Sequence, residues 1–324
     1  MRLPATKRAN GDARTTTMRD APANGDAHAT GEANATREAH ANVEGARLSN
    51  LTLPLILGHR GAPVFAPENT LAAFERALAD GADGIEFDVR LARDNVPVVI
   101  HDATLQRTAG LDAPVASLTS SELSAIAVGS WFNQRFPARA VETYEREIVP
   151  TLAQVFATIA PRSRLLYVEL KCKTIETPAL VERVVAEVRA HGLEGRVIIG
   201  SFTLAAVAEA KRIAPELHTA AAFERRLGRP LLAPRTMLRH AHACRADALA
   251  LARSLVSRRT IEAARARGLQ TVVWTVDHPS WIKRAAALGL HAVITNDPAR
   301  MCAARDEFAQ LNNTQLTERQ HRNS

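Results

Sequence analysis

The 324-residue chain is 46% hydrophobic and carries a net charge of +7, which allows one large α/β domain with a full core. No apolar run reaches the roughly eighteen residues needed to span a bilayer, and residues 1–50 lack an apolar signal stretch, so no stable membrane insertion is expected. Aromatics are only 4% and form no stripe with the basic residues, which argues against a nucleic-acid reader.

Residues 1–50 are rich in Ala, Thr, Asn and Gly, have no periodicity and hold seven Arg/Lys against six Asp/Glu. They read as a disordered tail. The positive excess therefore lies mainly in the body of the chain, where it suits an anionic small-molecule substrate or reflects a generally Arg-rich composition. Three cysteines (Cys172, Cys244, Cys302) stand at unrelated places. That pattern offers neither a disulfide framework nor a zinc site and fits a reduced cytoplasm.

From residue 51 to 302, apolar runs alternate with helical patterns, as in successive βα units. Strands are expected at 54–58, 84–89, 165–170, 197–201, 219–223, 248–252, 271–276 and 292–295. Helices are expected at 69–80, 178–191, 204–213, 258–267 and 279–288. No G-x-G-x-x-G follows the first strand, so the reading is a closed (β/α)8 barrel of the TIM type rather than a dinucleotide-binding sheet. Residues 223–245 hold six arginines and either cap the pocket or form a solvated helix. Residues 303–324 read as a polar C-terminal tail, frayed or in a short helix.

One segment breaks the alternation. Residues 96–101 form a further strand too close to the second one for a parallel crossover, which needs a dozen or more residues. The two must form a hairpin, turning at Arg93, Asp94 and Asn95, which sets His101 opposite Phe87 and beside Glu86 and Asp88. The insertion that follows, with short helices at 120–127 and 151–160, belongs at the carboxyl end of the strands, where barrels build their pockets.

Residues two apart on a strand share a face. Glu86 and Asp88 therefore point one way, into the barrel, while Ile85, Phe87 and Val89 point to the helix layer. On a second strand Glu169 and Lys171 share a face, and Cys172 on the other face is a small core residue. Glu86, Asp88 and Glu169 make an all-oxygen set suited to Mg²⁺ or Ca²⁺, with Lys171 available to a phosphate beside it. His59 ends the first strand and His101 ends the hairpin. Two histidines near a carboxylate cluster suit the base and the acid of phosphodiester cleavage.

The segment from Leu55 through Thr108 resembles the opening of the glycerophosphodiester phosphodiesterase family. It carries His59-Arg60, P-E-N-T at 67–70, Glu86-x-Asp88 and His101-Asp102 in order. GSWF, VPTLAQVF, VELK, GSF, VVWTVD and AVITNDP follow, so the likeness spans about residues 53–300. The resemblance implies a TIM-type barrel that hydrolyses glycerophosphodiesters to glycerol 3-phosphate and an alcohol, using a divalent cation (Mg²⁺ or Ca²⁺). It implies His59 and His101 as the acid–base pair and Glu86, Asp88 and Glu169 as metal ligands. Arg60 and Lys171 would contact the phosphate, Trp274 would line the alcohol side, and Phe202 would be a pocket wall. Asn69 would orient a ligand or cap the first helix. A lysophospholipase D on the same barrel, or a phosphate-binding protein without catalysis, are the other readings. The chain departs from the pattern at Asp277, where relatives often have W-T-V-N, and near Ala252, where many carry a histidine.

A chain lacking residues 1–50 should keep its melting temperature and turnover nearly unchanged, because the tail has too few apolar residues to join a core. A large loss of either would place the tail on the barrel.

Overall fold

Each of the eight expected strands forms within two residues of its expected limits in the computed structural model, which describes residues 52–225 and 232–323. The chain runs β1 (Leu55–His59), α1 (Leu71–Ala79), β2 (Gly84–Leu91) and β3 (Pro97–Val99). Three short helices, α2 (Gln106–Ala109), α3 (Ser120–Ser124) and α4 (Ser130–Arg135), lead to α5 (Leu152–Ile159). The βα alternation then resumes with β4 (Leu165–Leu170), α6 (Thr177–Ala190), β5 (Val197–Ser201) and α7 (Leu204–Ile213). It continues through β6 (His218–Phe223), α8 (Pro234–Ala243), β7 (Ala248–Ala252) and α9 (Arg258–Arg265). It ends with β8 (Gln270–Trp274), α10 (Trp281–Leu288), β9 (Ala292–Thr295) and α11 (Pro298–Asn323). The tail expected over residues 1–50 lies outside the described residues.

All barrel pairings are parallel and run β1-β9-β8-β7-β6-β5-β4-β2, with β1 pairing β2 to close the ring. Closure removes every sheet edge except the one β3 adds. The interior is filled by Leu57, Tyr167, Ile198, Ile294 and a set of alanines. Tyr167 fits because Gly200 faces it: a Cβ on Gly200 would stand 2.0 Å from the phenolic oxygen. Outside the ring, Phe74 of α1 and Phe156 of α5 pack on Phe87 of β2, with ring centroids 5.7 and 6.4 Å away. Phe87 thus faces the helices and its neighbours Glu86 and Asp88 face inward.

The hairpin has the expected register. Val89 pairs Val99 and Leu91 pairs Pro97 antiparallel, which extends to Phe87 opposite His101. β3 takes over the edge of β2 that β1 leaves: the Glu86 carbonyl accepts from Arg60 N at 2.7 Å, and the Asp88 carbonyl from Ile100 N at 2.9 Å. The ends of β1 and β3 therefore meet over the same stretch of β2. The insertion beyond has a small core of its own, including Val98, Ile100, Leu105, Val115 and Leu123. Capping boxes at Thr119–Glu122 and Thr151–Gln154 start α3 and α5.

One segment resolves an alternative that the sequence left open, and another differs from the expectation. Pro234–Ala243 is a surface helix whose exposed Arg235 and Arg239 line a shallow cavity with Arg245 and Arg267. That cavity is beside the starts of β7 and β8, at the far end of the barrel from the site. The described part of the arginine-rich stretch thus forms a solvated helix; residues 226–231 lie outside the described residues. The expected polar tail begins inside α11, whose Met301 and Cys302 are buried and whose Phe308 packs against the core. A long-range ion pair anchors this helix: Arg305 meets the buried Asp83. Among the described residues no helix is long and apolar enough to cross a membrane.

Asp83 ties four elements together. Its Oδ2 accepts from Ile56 N at 2.9 Å in β1, its Oδ1 from Arg164 at 2.9 Å before β4, and Arg305 reaches it from α11. Asp83→Ala strands a buried N–H and a partly buried guanidinium, so it should cost about 2–4 kcal/mol. A melting temperature lower by roughly 5–15 °C is expected in a thermal scan, and an unchanged one would contradict this account.

Candidate active site

The mouth of the barrel at the carboxyl ends of β1, β2, β4, β5 and β8 holds a cavity of about 230 Å³. It is lined by His59, Arg60, Glu86, His101, Glu169, Lys171, Phe202 and Trp274, among others. Asp88, buried beneath them, completes the set expected from the sequence. An adjoining cavity of about 640 Å³ shares Glu169, Lys171 and Phe202 with it.

Glu86 and Asp88 project from β2 and Glu169 from the adjacent β4, where Asp88 pairs Glu169 in register. One oxygen from each carboxylate lies within 4.8 Å of the others. Glu86 and Asp88 are 2% and 1% exposed, so their charges must be met inside the protein. Arg60 Nε approaches Asp88 Oδ2 at 3.1 Å, and Lys171 Nζ approaches Asp88 Oδ1 at 3.1 Å and also contacts Glu169. Arg60 adopts a left-handed backbone (φ 53°), and its N–H lies 3.1 Å from Glu86 Oε2.

Asn69 does not cap the first helix. The cap of α1 is Thr70, whose side chain accepts from Ala73 N. Asn69, also left-handed (φ 57°), donates from Nδ2 to Asp88 Oδ2 at 2.9 Å and so fixes the rotamer of a cluster carboxylate. Around the rim runs an ion-pair chain that the sequence reading did not identify. Glu68 bridges Arg60 and Arg107, and Arg107 pairs Asp102, whose Oδ1 lies 2.7 Å from His101 Nδ1. Glu68 and Asp102 stand within the P-E-N-T and H-D motifs, which was the available signal. Arg90 is a further addition: it donates to the His101 carbonyl at 2.7 and 2.9 Å and to the Lys171 carbonyl at 3.2 Å.

The electrostatics show a site short of positive charge. Burial, then repulsion from Asp88, pushes Glu86 up to about 8, and the same two causes push Glu169 up to about 7. Asp88 is held well below the usual range despite its burial, by Arg60 and Lys171. Asp88 Oδ1 and Glu169 Oε1 are buried without an aligned hydrogen-bond donor, although Lys171 is within ion-pair range of both. Two carboxyls resisting ionisation and two oxygens left over are what a hard divalent cation would satisfy. The residues therefore fit one.

His59 Nε2 lies 3.9 Å from Glu86 Oε2. Burial and the nearby Arg60 lower the pKa of His59, and burial lowers that of His101, a shift that favours the neutral form of each ring. Trp274 and Phe202 meet edge to face at 5.5 Å and form an apolar wall of the cavity, with Lys171 Nζ 5.7 Å from the Phe202 ring centroid. Cys172 packs half-buried against the outer core, as expected.

The profile of the glycerophosphoryl diester phosphodiesterase family matches residues 59–300. A glycerophosphodiester phosphodiesterase of Caldanaerobacter subterraneus subsp. tengcongensis is 32% identical over 246 residues, covering 75% of this chain and 94% of that protein. Among solved structures, an Oleispira antarctica phosphodiesterase in complex with the product sn-glycerol-3-phosphate superposes with a TM-score of 0.68 at 25% identity. It covers 78% of this chain and 97% of the other. An Agrobacterium tumefaciens glycerophosphodiester phosphodiesterase gives 0.64 at 30% identity, covering 78% and 100%. With the match over most of its length, this chain belongs to the glycerophosphoryl diester phosphodiesterase family and is a phosphoric diester hydrolase on a (β/α)8 barrel.

Proposed function

We propose that the chain hydrolyses glycerophosphodiesters to glycerol 3-phosphate and an alcohol, with His59 and His101 moving the protons. The observation that carries this reading is the shared edge of β2, which brings the ends of β1 and β3, and so both histidines, beside three inward carboxylates. The Oleispira relative with its bound product supports the substrate class.

Glu86, Asp88 and Glu169 would hold a divalent cation, Mg²⁺ or Ca²⁺, which supplies positive charge where the phosphoryl oxygens become more negative. Arg60 and Lys171, already turned into the cavity, bind the same phosphate and orient it. Phe202 and Trp274 exclude water from the glycerol and alcohol side. One histidine takes the proton of the glycerol 2-hydroxyl as that oxygen bonds to phosphorus. The bond from phosphorus to the departing alcohol breaks, and the other histidine gives that oxygen its proton. Water then opens the cyclic ester. Its oxygen bonds to phosphorus, its proton goes to the histidine that lost one, and the 2-oxygen recovers the proton held by the first. Both rings end as they began.

A second reading, cleavage of a lysophospholipid, draws on the adjoining cavity, whose wall includes Leu91, Val115 and Leu180. Comparing kcat/KM for glycerophosphocholine and lysophosphatidylcholine separates the two. A cytoplasmic setting suits the three unpaired cysteines.

Chelation should abolish release of glycerol 3-phosphate, and added Mg²⁺ or Ca²⁺ should restore it; full turnover in excess chelator would refute the metal assignment. His59→Ala and His101→Ala should each lower kcat by roughly 10²–10⁴-fold, the usual worth of a positioned proton-transfer group, with smaller effects on KM. A substrate with a strongly acidic leaving alcohol should rescue only the variant lacking the general acid. Near-normal turnover by both variants on glycerophosphocholine would rule out the pair.

A further inference from the structure

Asp277, where the sequence departs from the W-T-V-N pattern, has no part in the chemistry above. It sits after β8, directly beside the end of β9. Its Oδ1 accepts from Asn296 N at 2.7 Å and from Thr295 Oγ1 at 3.1 Å. Its Oδ2 accepts from Asn296 Nδ2 at 2.9 Å. The other end of the Asn296 amide, Oδ1, lies 2.7 Å from His59 Nδ1. These contacts form a directed chain, because each partner limits the next. A carboxylate only accepts, so Asp277 compels Asn296 to turn its NH₂ toward it and its carbonyl toward His59. A carbonyl oxygen also only accepts, so the proton on the His59 ring belongs on Nδ1. The unprotonated nitrogen is then Nε2, which faces the carboxylate cluster 3.9 Å from Glu86 Oε2.

We infer that Asp277 and Asn296 are positioning residues that fix the His59 tautomer, making His59 the proton acceptor of the attack step and leaving His101 to supply the leaving group's proton. This rests on the hydrolytic reading above. In that step the 2-hydroxyl proton moves to His59 Nε2 while Nδ1–H keeps its bond to Asn296 and Asn296 keeps its bond to Asp277. No atom of the relay gains or loses a proton. Its part is to keep the Nε2 lone pair aimed before substrate arrives.

A purely structural role, joining the ends of β8 and β9, is the competing explanation, and Asp277→Asn separates the two. Asparagine has the same shape, and its Oδ1 can keep the bonds from Asn296 N and Thr295 Oγ1. Its NH₂, however, would face the NH₂ of Asn296. Asn296 must then flip, His59 Nδ1 becomes an acceptor, and the proton moves to Nε2, the wrong nitrogen for a base. Asp277→Asn should therefore lower kcat by about 10²–10⁴-fold on glycerophosphocholine, as wrong-tautomer substitutions do, with KM little changed. In ¹⁵N-histidine NMR of the protein without substrate, the His59 ring should switch from Nδ1–H to Nε2–H. The double swap Asp277→Asn with Asn296→Asp restores one carboxylate and one amide, with the carboxylate now accepting from Nδ1. It should return kcat to within about tenfold of the starting protein, because the two sites are directly coupled. Added to His59→Ala, Asp277→Asn should cost nothing further.

An unchanged His59 tautomer in Asp277→Asn would overturn the inference. So would a loss of turnover that the swap leaves unrepaired, or one that persists undiminished in the His59→Ala background. If the starting protein itself fails to hydrolyse glycerophosphocholine, the functional reading fails instead, and the NMR comparison still tests the relay.

Discussion

Three carboxylates from two neighbouring strands share one buried space at the mouth of the barrel, and much of the surrounding structure answers that constraint. Buried negative charge is tolerated only where positive charge and hydrogen-bond donors are brought to it. Arg60 and Asn69 both hold left-handed backbone conformations (φ 53° and 57°), which cost of the order of 1–2 kcal/mol each for residues with side chains. The first delivers a backbone N–H to Glu86 and a guanidinium to Asp88, and the second clamps Asp88 with its amide. Lys171 arrives from the next strand. Even so, Glu86 and Glu169 remain pushed toward their neutral forms by burial and by repulsion from Asp88. The deficit that remains is what the proposed divalent cation would make up.

The second element of the account is geometric. A barrel strand normally meets one neighbour along each edge, but β2 is longer than β1 and extends past it. β3 uses the free length, so the chain returns over the mouth and sets His101 near His59. Arg90 secures that return, bonding the carbonyls of His101 and Lys171 from a position on β2 between them. The insertion that follows rests on its own small core. It can thus shape the pocket without disturbing the ring beneath. Rigid strands carry the carboxylates and the inserted segment carries one histidine, the division of labour common to barrel enzymes.

How much of this was legible in the sequence depended on the distance over which each interaction acts. Strand positions and facing followed from apolar alternation, and the hairpin register followed from a turn too short for any other connection. That placed Glu86, Asp88, Glu169, Lys171 and both histidines together, on local information plus closure of the ring. What the sequence did not reveal joins residues far apart. Asp83 meets Arg305 across 222 positions and His59 meets Asn296 across 237, and no period or spacing records such pairs. The role of Asn69 was hidden differently. A cap and a left-handed residue next to a cap are written with the same amino acids, and only the backbone torsion tells them apart. The continuation of α11 past residue 302 was obscured by its polarity. Met301, Ala304 and Phe308 turn one narrow apolar stripe to the core, and Arg305 adds its ion pair to Asp83.

The central claim is that Glu86, Asp88 and Glu169 form one divalent-cation site that works together with a bound phosphate. The most direct test is a Mn²⁺ titration followed by electron paramagnetic resonance, using Mn²⁺ as a spectroscopic substitute for a hard oxygen-seeking cation. The account predicts a single saturable site, lost in Glu169→Gln and tightened by added glycerol 3-phosphate. Absence of stoichiometric binding, or binding that Glu169→Gln leaves unchanged, would contradict it.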